Sequence, residues 1–162
     1  MTDLNFKEKF ANAEKDDLDF YFLTACTNGY LDEVKYLLTS KDLKEHPSVT
    51  EDAMPLSIAC AEGKLEVVKY LLTSSDLKEH ANVYAKETEA FKVACNRLCE
   101  EVVEYLIFEF NIEKNQDIIN ILSFPKTPFD ARVANMFTMR EVNSELSQEL
   151  NSDNTDKRKP KL

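Results

Sequence analysis

Cys26, Cys60 and Cys95 stand 34 and 35 positions apart, and His46 and His80 are again separated by 34. Thiols and imidazoles readily bind metals, attack electrophiles or move protons near neutral pH. Each of those chemistries needs partners at a defined spacing. A zinc site asks for pairs such as Cys-x2-Cys or His-x3–5-His, and neither occurs in the chain. Cys95 and Cys99 are spaced i, i+4, but a turn is expected between them, which takes them off a common helix face. A nucleophile needs a base beside it and a group to orient that base. No Ser or Cys of the sequence is visibly paired in this way. The 30 Asp and Glu residues single out no acid–base pair, and two glycines are too few for a phosphate-cradling loop. No catalytic residue, metal or cofactor is therefore expected. The repeated cysteines read as small buried apolar groups, and the repeated histidines as loop-bracing hydrogen-bond partners. A cryptic enzyme resting on His46 and His80 is the weakest alternative.

The spacing itself is the stronger signal. "CTNGYLDEVKYLLTSKDLKEH" (26–46) and "CAEGKLEVVKYLLTSSDLKEH" (60–80) agree at most positions, and "ACNRLCEEVVEYLI" (94–107) is a weaker third copy. Such a period marks a stacked repeat array. Each copy has a short helix ending in Ala-Cys, a turn, and a longer helix. Leu65, Val68, Leu71 and Leu72 recur at i, i+3, i+6 and i+7, one face of a helix. Val34, Leu37 and Leu38 repeat that face, as do Val103, Leu106 and Ile107. Gly29 and Gly63, the only glycines, share one repeat position, where a turn between antiparallel helices calls for positive φ.

"MPLSIAC" (54–60) and "GKLEVVKYLL" (63–72) resemble the two helices of an ankyrin repeat, and the resemblance spans roughly residues 17–113. It implies an all-α fold, a short solenoid of about three helix–turn–helix repeats with helical caps at both ends. The family's Asp-Gly finger turn is missing: "HPSVTEDAMP" and "HANVYAKETEA" contain no glycine, so well-formed hairpins are not expected there. In the third copy Leu98 replaces the turn glycine and Glu100 replaces Leu65, which reads as a degenerate or differently bent repeat.

The expected organisation is an N-terminal capping helix (1–16), three repeats (17–50, 51–85, 86–113), C-terminal capping helices (114–150) and a disordered polar tail (151–162). The long segment after "FPKTPF" reads as a cap, with a partner-docking helix as the alternative. The tail holds the one basic cluster, "KRKPK" (157–161), read as a solvated end. The formal charge of −10 at pH 7 argues against nucleic acid, whose binding draws on cations meeting phosphates. No run of ~18 apolar residues suggests a membrane span, and the first twenty residues do not read as a secretory signal. A cytoplasmic protein is the default expectation, with a signal-independent export route left open.

The resemblance implies protein–protein recognition through the concave face and the inter-repeat fingers, by a monomer. By position the contacts would come from Tyr21, Thr24, Asn28, Asp52, Ser57, Glu62, Tyr84, Lys86, Glu87, Lys92, Asn96 and Arg97. Tyr84 and Arg97 lead, as Tyr and Arg are enriched at hot spots. An acidic decoy that occupies a nucleic-acid-binding protein by charge is the second reading.

Overall fold

The computed structural model describes residues 3–10, 13–50, 53–123 and 127–156. Among them lie α1 (Asp3–Phe10), α2 (Lys15–Asn28), α3 (Leu31–Thr39), α4 (Met54–Ala61), α5 (Leu65–Thr73), α6 (Ala85–Asn96), α7 (Glu100–Glu104), α8 (Gln116–Ser123) and α9 (Pro128–Asp156). No strand occurs among the described residues, and the described stretches before α4 and α6, residues 46–50, 53 and 80–84, are loops and turns. No described helix is long and apolar enough to cross a membrane.

The pairs α2/α3, α4/α5 and α6/α7 stack as a solenoid. α4 lies between α2 and α6, and α5 between α3 and α7, so first and second helices form two layers. The repeated apolar positions supply the filling. Val34 and Leu37, Val68 and Leu71, and Val103 and Leu106 are fully buried. Ala25–Cys26, Ala59–Cys60 and Ala94–Cys95 are buried on the facing layer. Small residues there let the helix pairs approach closely.

All three turns close in the same way. Tyr30, Lys64 and Cys99 donate their backbone N–H groups to the carbonyls of Ala25, Ala59 and Ala94, at 2.9, 2.8 and 2.9 Å. The residue before each donor is left-handed: Gly29 (φ 77°), Gly63 (φ 65°) and Leu98 (φ 59°). The third repeat therefore keeps the turn geometry despite its substitution. An L-residue in this region costs roughly 1–2 kcal/mol, and packing against α4 and α5 on one side and α8 and α9 on the other holds it there. The third repeat departs elsewhere. Its second helix passes into a π turn over Tyr105–Glu109, and Lys86, Glu87 and Thr88 at the start of α6 form a left-handed turn of their own.

The second helices each leave a carbonyl to be satisfied at the C-terminal end, and each repeat uses a different donor. Leu71 O accepts the Ala81 N–H at 2.9 Å, and Leu106 O accepts the Ile112 N–H at 2.8 Å. In the first repeat the residue equivalent to Ala81 is Pro47, which has no N–H. There His46 Nδ1 bonds Leu37 O at 2.8 Å instead.

The ends are closed by side chains. Phe6 of α1 meets Tyr36 at a tilt, 5.4 Å between ring centroids, and Phe10 stacks on Tyr36 at 6.0 Å; Lys9 pairs with the buried carboxylate of Glu33. At the other end Asn115 caps α8. Its Oδ1 accepts the Ile118 N–H at 3.0 Å, and its Nδ2 donates to the Oγ1 of buried Thr88 at 3.1 Å. Thr127 and Asp130 form a reciprocal capping box for α9, at 2.9 and 3.1 Å. Phe137 of α9 meets Phe91 edge-on at 6.0 Å. Arg140 Nη1 donates to the carbonyls of Ile107 (3.1 Å) and Ile112 (2.7 Å), which ties α9 to the π turn.

One expectation needs correcting. α9 runs on through Asp156, six residues into the stretch expected to be a disordered tail. Extending an existing helix fixes one residue per hydrogen bond without a new nucleus, so polar residues of modest propensity are carried along. Residues 157–162, including the basic cluster, lie outside the described residues.

Candidate partner-binding surface

The outer side of the first-helix layer is a sheet of side chains from α2, α4 and α6. Right-handed helix rises about 1.5 Å per residue and neighbours sit about 8–10 Å apart, so three such helices offer a face that a peptide or a loop can cross. The expected contact residues divide along it. Tyr84, Lys86 and Glu87 stand at the finger end, while Asn28, Glu62, Asn96 and Arg97 stand at the turn end. Tyr21, Thr24, Ser57 and Lys92 lie between. Asp52 lies outside the described residues.

Asn28, Glu62 and Arg97 occupy one repeat position and are all exposed, forming a polar row across the three repeats. Thr24 is exposed but returns its hydroxyl to Phe20 O at 2.9 Å, and Asn28 donates to Thr24 O at 2.8 Å. Lys92 pairs with Glu87 at 3.3 Å, which holds the left-handed turn against α6. Three residues are less available than their positions suggested. Tyr21 is half-buried, edge-on to Phe10 at 5.1 Å and under the Lys9 ammonium at 4.9 Å; it fastens the N-terminal cap. The Ser57 hydroxyl oxygen is buried, because neighbouring helices close over that position. Tyr84 keeps an exposed ring, but its hydroxyl accepts the Glu113 N–H at 2.8 Å, so it also braces the segment leading to α8.

Two residues outside the expected contact set lie on the same face. Phe20 and Met54 share a repeat position and are 66% and 44% exposed. One helical turn further, Ile58 and Val93 are half-buried. The layer therefore carries an apolar centre bounded by Thr24, Lys92 and the Asn28–Glu62–Arg97 row. The available signal was the apolar residue at position 20 recurring at 54, outside the Ala-Cys pattern that marks the buried side.

Burial raises the pKa of all four thiols. Burial pushes the Cys26 thiol up to about 12. Cys95 rises to about 12 through burial first, with Asp130 and Cys99 adding to it. Cys60 is raised further still, again by burial and then by Cys99. Cys99, partly exposed, is raised by burial and by Glu62, and its Sγ donates to Ala61 O at 3.3 Å. Neutral thiols are poor nucleophiles and poor ligands. His80 Nε2 bonds Ser74 O at 2.9 Å, so both histidines hold loops. Among the described residues no group of three or more His, Cys, Asp or Glu is arranged to hold a metal ion.

The family model for ankyrin repeats in three copies matches residues 20–118, well over half of the chain. The chain belongs to the ankyrin-repeat family. Ankyrin arrays are in general protein–protein interaction modules. Searches of curated proteins and of solved structures give no match.

Proposed function

We propose that this ankyrin-repeat chain is a non-catalytic, monomeric recognition module that binds one partner protein across the first-helix layer and the adjoining fingers. The observation that carries the reading is the apolar centre of Phe20, Met54, Ile58 and Val93 inside a polar rim. Interfaces share that anatomy, an apolar desolvated core surrounded by polar groups. Exposed aromatic and thioether side chains lie on the surface at a cost that contact with a partner removes. Arg97, at the turn end, supplies a planar donor suited to a carboxylate.

Affinity capture from lysate, with the retained protein then purified for titration, tests this. The bait is compared with Phe20→Ala/Met54→Ala, and with a control carrying Glu66→Ala at an exposed position of α5 in the second-helix layer. The expected result is one retained protein whose Kd weakens at least about tenfold in the double variant, as for hot-spot truncations, and is unchanged in the control. Equal affinity for all three baits overturns the assignment of this surface.

A further inference from the structure

The far half of α9 has no counterpart in the array beneath it. Phe129, Val133 and Phe137 are buried, and Arg140 hydrogen-bonds the carbonyls of Ile107 and Ile112. From residue 141 to 150 every side chain is exposed. Along this stretch Met139, Val142, Leu146 and Leu150 are 59%, 47%, 51% and 66% exposed. At about 100° per residue these four fall within an arc of about 80°. That arc is adjacent to the face packed on the array and distinct from it. It forms a continuous apolar stripe about 16 Å long, at about 1.5 Å per residue.

The edges of the stripe differ. Glu141, Glu145 and Glu149 follow one another at i, i+4 along one side, and Asn143 and Ser147 line the other. Residues 141–156 contain five acidic and no basic side chains: Glu141, Glu145, Glu149, Asp153 and Asp156. Lys114 reaches Glu141 at 3.1 Å, at the end nearest the array.

We infer that the Met139–Leu150 stripe docks a cationic amphipathic helix, whose apolar face covers the four residues and whose lysines or arginines meet the glutamate edge. Charges flanking an apolar helix seam decide which helix pairs with which. The glutamate edge also sets aside the nearest competitors. A second copy of this chain, paired antiparallel by a twofold axis, lays glutamate edge on glutamate edge, and like charges at that spacing repel. An anionic lipid surface meets the same repulsion. This surface is separate from the first-helix layer, so its failure and the failure of the proposed function are read independently.

The test uses the full chain and two labelled synthetic helices of about 18 residues, long enough to span the stripe. Both are alanine-rich with leucines at i, i+3, i+4 and i+7, one flanked by lysines and its twin by glutamates. Fluorescence anisotropy is read for the native chain, for Leu146→Ser/Leu150→Ser and for Glu145→Lys/Glu149→Lys. All four positions are exposed, and unchanged thermal melts confirm that the variants fold. The expected result is binding of the lysine peptide at least about tenfold tighter than its twin, weakened by salt. The serine variant should lose that binding, and the charge-reversed variant should switch to the glutamate peptide. Equal binding of the two peptides, or none, overturns the inference. Sedimentation showing a dimer that Leu146→Ser/Leu150→Ser dissolves assigns the stripe to a second copy instead. Stripe-dependent co-sedimentation with anionic vesicles assigns it to lipid.

Discussion

Replacing His46 with Ala removes the hydrogen bond between its Nδ1 and Leu37 O, at 2.8 Å. An unmade hydrogen bond at a fully buried group costs about 1–3 kcal/mol. This carbonyl sits at a partly buried helix end, so the lower bound applies, about 1 kcal/mol. For a chain of this size that lowers Tm by about 2–4 °C. The decisive perturbation is the companion change Pro47→Ala. At the equivalent place in the second repeat the Ala81 N–H already bonds Leu71 O at 2.9 Å. Pro47→Ala supplies the missing N–H, so His46→Ala should then cost less than half as much. Urea unfolding followed by circular dichroism, on both single variants and the double, gives the coupling directly. The expected value is at least about 0.5 kcal/mol, favouring the double variant over additivity. An unchanged cost for His46→Ala in the Pro47→Ala background, within about 0.3 kcal/mol, would falsify the donor-replacement argument.

Three further outcomes follow from the same geometry. Gly63→Ala should destabilise by about 1 kcal/mol through its left-handed φ alone, since an added Cβ meets Cys99 Sγ at an ordinary 3.5 Å; a neutral thermal melt contradicts the strain argument. Lys9→Ala leaves the Glu33 carboxylate buried without its partner and should cost about 2 kcal/mol, with faster hydrogen exchange in α1 and α3; unchanged exchange there refutes the pairing. A thiol reagent at pH 8 should label Cys99 alone in the native chain and all four cysteines after unfolding. Below about pH 9 the buried thiols are protonated in both states. As pH rises from about 9 towards 12 the unfolded chain ionises first and stability is lost, by up to about 1.4 kcal/mol per thiol per pH unit. Replacing Cys26 and Cys95 with Ala should flatten that alkaline decline.

The array was legible because its determinants are local and periodic. Apolar positions at i, i+3 and i+7, two glycines at one repeat position and a proline in the first turn of α4 each act within a single helix pair. Less was readable where the cause is a neighbour distant in sequence. Leu98 carries no local preference for positive φ, and only the packed third repeat keeps it there. The extension of α9 past residue 150 follows from helix continuity, which composition does not register. The candidate surface was readable by position but not by availability. Tyr21 and Tyr84 are hot-spot residue types by composition, yet their partners Phe10 and Glu113 tie them to the caps. Phe20 and Met54 looked like ordinary apolar residues until burial separated them from the core.

Lys35 lies over the ring of Tyr70 at 5.6 Å, and Lys69 over that of Tyr105 at 5.3 Å. Each contact joins one repeat to the next and none is made within a repeat. Contacts of this kind, about 0.5–1 kcal/mol each, strengthen the nearest-neighbour coupling and leave the intrinsic stability of a single repeat untouched. A chain whose second repeat loosens therefore loses both rungs at once. Such coupling favours one cooperative melt over fraying from the ends, so a partner that grips any one repeat should raise the unfolding temperature of all three.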